Sequence, residues 1–173
     1  RLAGVNQVAY HPRAGLDFPT IIRALLRQDP DVIMIGEIRD AATAQLAIEA
    51  AQTGHLVLST LHTRNAYGAI PRLKNLGIDK ESIESCLLSV SSQRLVRKAC
   101  QQCIKYDLIN KNQCRSCKGS GYFGRIGVHE VLGKVNLFNP SSSHISMRDA
   151  GFIRMQEGFI NQAALDAEVG SWH

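Results

Sequence analysis

Two polar side chains suited to phosphoryl chemistry stand just beyond two short strand-like segments. Glu37 follows the apolar run at residues 32–35, and His62 follows the similar segment at residues 55–59. The first run is too short to span a membrane and has the character of a central strand buried on both faces. Open α/β sheets bind ligands at the carboxyl ends of their strands, where a carboxylate can hold Mg²⁺ or orient an attacking water. We therefore expect Glu37 and His62 to lie side by side at one edge of a sheet.

A second group of residues has the spacing of metal ligands. Two CxxC pairs separated by ten residues supply four thiols, those of Cys100, Cys103, Cys114 and Cys117. Paired CxxC turns let four thiolates close a tetrahedron around Zn²⁺. Two disulfides are one alternative, against which a reducing cytosol and the vicinal spacing argue, and free thiols are another. The segment 94–125 holds eight Lys or Arg and one acidic residue, so basic side chains can offset the negative charge of a four-thiolate site.

The elements that would position the first two side chains alternate between helices and strands. Asp17 is a plausible N-cap for a helix that stops at Asp29 and Pro30. Residues 41–52, rich in Ala, Leu and Ile, are predicted to form the helix between the two strands. This alternation favours an α/β fold.

Three further elements are predicted after the second strand. A helix from Asn65 to Asn75 contains Pro71, whose ring removes one backbone hydrogen bond, so we expect a kink there. Residues 80–98 are predicted to form one long helix. Residues 125–132 are predicted to form a strand that returns to the core.

The composition is that of an ordinary folded domain. The 173 residues are 45% hydrophobic and 20% charged, with a formal net charge of +5. The sequence contains no run approaching about eighteen consecutive apolar residues and opens with no signal-peptide pattern. We therefore expect a cytoplasmic or peripheral protein, whose modest positive charge permits contact with anionic membrane surfaces or acidic partners.

Together these blocks resemble the traffic ATPases of type II secretion, type IV pilus assembly and competence. The string DVIMIGE, ending at Glu37, is similar to the variant Walker B motif of that family, and Thr53 to Thr63 is similar to its His box, with His62 as the characteristic histidine. After the cysteines, KGSGYFGRIGVHEVL is similar to the string with which family members of the assembly and secretion branch resume. Retraction-type members usually lack the cysteines, so the resemblance points to the assembly or secretion branch.

The resemblance implies a fold and a domain organisation. We expect an α/β fold that forms the carboxyl-terminal portion of a RecA-like P-loop ATPase core, with a four-cysteine zinc module and closing helices. Residues 1–98 would carry the Walker B-like and His box motifs of the ATPase core. Residues 99–124 would form the zinc-binding module, and residues 125–173 the returning strand and the carboxyl-terminal helices.

The resemblance also implies roles for individual residues in ATP hydrolysis. Glu37 would place Mg²⁺ or the attacking water, and His62 would sense the nucleotide state. Four weaker nucleotide-linked candidates have structural alternatives, namely Arg23, Arg27, Arg39 and His55. The arginines are either solvated charges or phosphate contacts, and the histidine is either a packed, hydrogen-bonded residue or linked to nucleotide.

One part of an ATP site is absent from the sequence. A P-loop requires the spacing GxxxxGK[ST], and no such string occurs in the chain. Family members carry it upstream of the matched region, so we expect this chain to be the carboxyl-terminal part of a longer protein and to be inactive alone. The alternative is a zinc-bearing interaction module or truncated homologue that binds a partner without hydrolysing ATP.

The resemblance finally implies partners and a location. The parent would be a homo-hexamer at the cytoplasmic face of the bacterial inner membrane, in contact with the inner-membrane platform protein and peripherally with the membrane. A nucleic-acid-binding ribbon is an alternative for the basic segment. Its aromatic residues, Tyr106, Tyr122 and Phe123, are sparse, so we expect no direct binding of nucleic acid.

Overall fold

The computed structural model describes residues 3–105, 114–139 and 141–170. In this structure Asp17 is the N-cap of the first α-helix, α1 (Phe18–Leu25). The Asp17 carboxylate accepts a hydrogen bond from the backbone N–H of Thr20 at 2.9 Å, as the predicted N-cap requires. Ile21 and Ile22 are the buried side chains of α1. A short 3-10 turn follows and ends at Asp29, whose left-handed backbone stops the helical segment.

A strand–helix–strand unit forms the centre of the first part of the chain. Strand β1 (Val32–Ile35) runs parallel to β2 (Leu56–Ser59), and helix α2 (Ala41–Gln52) makes the crossover. Asp40 caps α2 by accepting the Thr43 N–H at 2.8 Å. A parallel pair requires such a crossover, so both strands end at the same edge.

Only one face of this two-stranded sheet is covered by the described residues. Ile33 and Ile35 are buried, whereas Met34 on the other face is 72% exposed, as is about half of Val32 and Leu58. The prediction that β1 is buried on both faces is therefore wrong for the described part of the chain. The unbroken apolar run shows that both faces of β1 are suited to burial. A strand face is buried only where another element covers it, and among the described residues only one face of β1 is covered.

Two short helices follow β2. Helix α3 (Ala69–Asn75) begins four residues later than predicted, and this start places Pro71 in its first turn. No kink is needed there, because the N–H groups of a first turn have no partner within the helix. Helix α4 (Lys80–Cys86) starts at the N-cap Asp79, which accepts the Ser82 N–H at 2.8 Å.

The predicted long helix at residues 80–98 is wrong. Helix α4 ends at Cys86, and the chain then forms strand β3 (Ser89–Ala99). Its exposed and partly buried residues alternate, which is the period of a strand. Leu95 and Val96 point to opposite faces in this arrangement, whereas a helix would have placed them on adjoining positions.

The predicted strand at residues 125–132 is confirmed and is longer than expected. Strand β4 (Tyr122–Gly133) pairs antiparallel with β3 in a two-stranded sheet separate from the β1–β2 pair. The register changes between Arg97, which lies opposite Arg125, and Ala99, which lies opposite Tyr122. One additional β4 residue between these pairs makes a β-bulge.

Helices from the end of the chain cover one face of the β3–β4 sheet. Besides the short α5 (Gln101–Lys105) and α6 (Lys134–Phe138), this part contains α7 (Met147–Gln156) and α8 (Gln162–Val169). Their shared core is apolar, and its buried members are Val96, Val128, Ile160, Ala164, Leu165 and Val169. Ser146 and Asp149 form a capping box that begins α7.

The chain as a whole forms two compact units, Arg1–Leu88 and Ser89–His173. Helices and strands occur in both, so the predicted α/β class is confirmed. The three-part domain division proposed from the sequence stays a prediction. None of the described helices combines the length and the apolar character needed to cross a membrane.

Close packing between α7 and α8 makes Gly151 a testable position. A Cβ added there would overlap side-chain carbons of Leu165, which is fully buried. We expect Gly151→Ala to destabilise the protein by about 1–2 kcal/mol, because overpacking outweighs the helix propensity that alanine adds. Urea denaturation measures the change. In a Leu165→Ala background the overlap is gone, so the same substitution should there be neutral or stabilising; an equal loss in both backgrounds would contradict the packing explanation.

Candidate active site and metal centre

Hydrogen bonds between the loops that follow β1 and β2 bring Glu37 and His62 together. The Thr60 hydroxyl donates to the Gly36 carbonyl at 2.7 Å, and the Ile38 N–H donates to the Thr60 carbonyl at 3.0 Å. These bonds extend the pairing of the two strands beyond their carboxyl ends. Nε2 of His62 then lies 3.2 Å from Oε2 of Glu37, so the predicted proximity of the two residues is confirmed.

Arg39 is the second group in contact with the Glu37 carboxylate. Its Nε lies 2.7 Å from Oε2, the same oxygen that His62 contacts. Arg72 of α3 donates to the Arg39 backbone carbonyl at 3.3 Å and so ties the loop to that helix. Of the three arginines predicted as weaker candidates, Arg39 is the one that the structure brings to Glu37.

The contacts of Glu37 keep it ionised. The hydrogen bond with His62, followed by the hydrogen bond and positive charge of Arg39, holds the pKa of Glu37 below its usual range, although partial burial opposes this. The side chain is 24% exposed and stands at an open strand edge. Because both contacts use Oε2, the other oxygen can accept a water or contact a cation. An ionised oxygen donor at this edge fits the ligand preference of Mg²⁺.

The depressed pKa of Glu37 leads to a prediction for its neighbours. We expect His62→Ala and Arg39→Ala each to raise the pKa of Glu37 toward the ordinary glutamate value, with the larger change from His62→Ala. Carboxyl-carbon NMR titration of Glu37 measures it. Since the pKa is lowered on folding, the stabilisation exists above the unfolded pKa and is lost as the pH falls through the folded one. An unchanged titration in both variants would show that neither contact forms in solution.

Three weaker candidates lie elsewhere. Arg23 is exposed on α1, and Arg27 is exposed on the 3-10 turn that follows α1. His55 precedes β2 at the end opposite to Glu37, and its Nδ1 lies 2.9 Å from the Ala50 carbonyl at the end of α2. That contact satisfies a carbonyl at the helix end, which corresponds to the packed, hydrogen-bonded alternative for His55.

Sequence reasoning missed two residues that organise this edge. Thr60 joins the two loops, and Arg72 holds the loop that carries Arg39. Thr60 could have been singled out because a hydroxyl directly after a strand is well placed to bond the neighbouring strand end. For Arg72 the sequence offers no signal, because its partner is a backbone carbonyl 33 residues away.

The four predicted cysteine ligands form one buried cluster. Their sulfur atoms all lie within 4.8 Å of one another, with 3.7 Å between Cys100 and Cys114 and 3.5 Å between Cys103 and Cys117. A disulfide needs a distance of about 2.05 Å, so these are separate thiols. Tetrahedral Zn²⁺ with bonds of about 2.3 Å places sulfur atoms roughly 3.8 Å apart. The cluster therefore fits a metal of that size.

Local backbone geometry shapes the cysteine cluster. The turn after Cys117 has positive φ angles at Lys118, Gly119 and Gly121, and it brings the Gly121 N–H to within 3.3 Å of the Cys117 sulfur. Burial raises the pKa of the Cys103 thiol to about 12. Burial alone would also raise the pKa of Cys117, but the Gly121 N–H and neighbouring thiols lower it to about 6. The pKa values of Cys103 and Cys117 thus depend on the neighbouring thiols, and a bound dication would favour thiolate ligands.

Comparisons with known proteins agree with this architecture. A model of the family described as "Type II/IV secretion system protein" matches residues 1–159. The chain is 44% identical over 169 residues to the "Protein transport protein HofB homolog" of Haemophilus influenzae, covering 98% of this chain and 35% of that protein. It is 45% identical over 152 residues to the "Type IV pilus assembly ATPase PilB" of Thermus thermophilus, covering 76% of this chain and 17% of that protein.

A solved structure shares the fold. The Legionella pneumophila ATPase DotB matches with a TM-score of 0.65 at 22% identity, over 87% of this chain and 42% of that one. At this identity the likeness concerns the fold alone. The chain spans about a third or less of the two curated relatives described above.

Proposed function

Because the chain belongs to the type II/IV secretion system protein family, we propose that it is the carboxyl-terminal part of a hexameric ATPase that powers secretion or pilus assembly. The observation that carries this proposal is the contact between Glu37 and His62 at the carboxyl edge of two parallel strands. The names of the relatives support it, since one is a protein transport protein homologue and another a pilus assembly ATPase.

Glu37 is assigned the central chemical role at this site. Bound ATP would supply the phosphoryl group, and bound Mg²⁺ would partly neutralise its charge. Glu37, held ionised by His62 and Arg39, can orient the attacking water or contact the metal directly or through water. Arg39 is proposed as a positioning residue, because its guanidinium contacts the carboxylate while Arg72 of α3 bonds its backbone carbonyl.

His62 is proposed to sense the nucleotide state. Its side chain is 75% exposed and bonded to Glu37 through Nε2, so it can exchange this partner for a phosphate oxygen or for a group of a neighbouring subunit. Nucleotide-linked roles for Arg23, Arg27 and His55 remain weaker proposals, which the exposed positions of the arginines permit.

The sensor role predicts a specific loss. In the full-length parent, His62→Ala should leave ATP affinity close to that of the unmodified protein and abolish the stimulation of turnover that ring assembly provides. Phosphate release measured against protein concentration, beside nucleotide binding, separates the two effects. Loss of binding outright, or full ring-stimulated turnover in the variant, would show that His62 is not a sensor.

The cysteine cluster is proposed to hold one structural Zn²⁺. The spacing of the sulfur atoms and their burial support this, and a four-cysteine set closes the coordination sphere and leaves no open position for chemistry. The segment is a structural staple in this proposal and can also present a surface to a partner.

The proposed setting is the cytoplasmic face of the bacterial inner membrane. There the homo-hexamer would contact the inner-membrane platform protein and, peripherally, the membrane. Mg²⁺-dependent phosphate release by the full-length parent tests the proposal. A parent that binds its partners but releases no phosphate would favour the alternative, a zinc-bearing interaction module that does not hydrolyse ATP.

A further inference from the structure

The outward face of the β3–β4 sheet carries two arginines directly opposite each other. Arg97 of β3 is paired in register with Arg125 of β4, and both side chains are exposed. Cβ atoms of directly opposite residues lie about 5 Å apart, so the two positive charges repel each other. A sheet gains nothing by itself from such a pair, which suggests that the pair has a ligand.

The two arginines differ in their surroundings. The Arg97 guanidinium lies over the Tyr122 ring, 4.8 Å from its centroid, and is thereby held in place. Among the described residues, no hydrogen bond or ion pair is made by the Arg125 side chain. Its guanidinium donors are therefore available to an incoming anion.

Apolar side chains border the two charges. Phe123 is 64% exposed and lies in the β-bulge, where Gly124 has a φ of 77°. Leu95 is 49% exposed and is the outward neighbour of Arg97 two residues earlier on β3. Bulges re-aim side chains, and this one leaves the Phe123 ring exposed two residues before Arg125 on β4.

Negative charge is scarce on the outward face of the β3–β4 sheet and among residues 89–173 as a whole. The outward positions of the two strands include no carboxylate, since Glu130 is buried on the inner face. Residues 89–173 hold eleven Lys or Arg and six Asp or Glu, whereas residues 1–88 hold nine of each. The entire net positive charge of the chain therefore lies in its second part.

We propose that the face formed by Leu95, Arg97, Phe123 and Arg125 is a docking surface for an acidic segment of a partner protein that carries apolar residues beside its carboxylates. Each guanidinium can bond a carboxylate in bidentate fashion, and Leu95 and Phe123 supply the apolar contact. This surface is distinct from the Glu37 site and does not depend on the proposed ATPase activity.

Two other occupants fit the face less well. A nucleic-acid strand needs a row of cations along its phosphates and stacking platforms, but Tyr122 packs against the core and bonds Asn161 through its hydroxyl. An anionic membrane gains from several spread charges, whereas here two are concentrated at one cross-strand position. Both occupants are outcomes of the test.

Binding of a fluorescent peptide that alternates glutamate and leucine to the 173-residue chain tests the proposal. We expect Arg97→Glu/Arg125→Glu to weaken binding about tenfold or more, because two attractive charge pairs become repulsive. The control Arg13→Glu/Lys74→Glu changes the net charge by the same amount at exposed positions of the first unit. It should bind the peptide as tightly as the unmodified 173-residue chain does. Circular dichroism and zinc content establish that each variant is folded.

A second double variant keeps the test decisive if the double charge reversal fails to fold. Arg97→Gln/Arg125→Gln removes the charges without repulsion and should still weaken binding severalfold. Equal weakening in the control would reduce the effect to net charge and overturn the proposal. Absence of peptide binding by the unmodified 173-residue chain would also overturn the proposal. The same holds if phosphatidylglycerol vesicles or single-stranded DNA bind more tightly than the peptide and this binding depends on the two arginines.

Discussion

Glu37→Gln in the full-length parent is expected to lower ATP turnover by about a hundredfold or more, the usual cost of losing one positioned catalytic group. Glutamine retains the shape of the side chain and its hydrogen-bonding oxygen but loses the negative charge that His62 and Arg39 stabilise. Nucleotide binding should change little, because a P-loop would hold the phosphates in the proposed full-length parent. Steady-state phosphate release and equilibrium binding of a labelled nucleotide measure the two quantities.

The matched control for this prediction is Glu81→Gln. Glu81 is an exposed residue of α4, so the same chemical change there should leave turnover at the parent level. Turnover of the Glu37 variant within twofold of the parent would remove this carboxylate from the mechanism. The isolated 173 residues should release no phosphate in the same assay.

Cys114→Ser is expected to abolish stoichiometric zinc binding by the chain. The serine hydroxyl cannot replace a thiolate as a soft ligand, and the three remaining sulfur atoms do not close the tetrahedron. Structural zinc contributes roughly 10 kcal/mol of apparent folding free energy in small sites, so the turn at Cys117 to Gly121 should loosen. Elemental analysis of reduced, freshly purified protein measures the metal, and amide hydrogen exchange measures the loosening.

The fifth cysteine provides the control for the zinc prediction. Cys86 lies at the end of α4, outside the cluster, so Cys86→Ser should retain one Zn²⁺ per chain. Zinc content near zero in the unmodified protein, or unchanged content in Cys114→Ser, would contradict the assignment. Chelation should reproduce the exchange pattern of Cys114→Ser without any substitution.

Several features were determined by the sequence alone, because they depend on near neighbours along the chain. The predicted cap at Asp17, like the caps that the structure shows at Asp40 and Asp79, bonds an N–H group three residues away. The CxxC spacing predicts a compact cysteine cluster, since each pair turns back on itself. The Glu37–His62 proximity also followed from the sequence, because two parallel strands joined by one helix end at the same edge.

Other features were decided only by tertiary contacts. Residues 89–99 carry apolar side chains at spacings that suit either a helix or a strand, and pairing with β4 selects the strand. The exposure of Met34 depends on which elements cover the sheet, and local sequence cannot specify that. Arg39 reaches Glu37, and Arg97 comes to face Arg125, because of backbone register between distant segments. Such placements are set by long-range packing and hydrogen bonding, whereas composition and spacing report only what each segment is able to do.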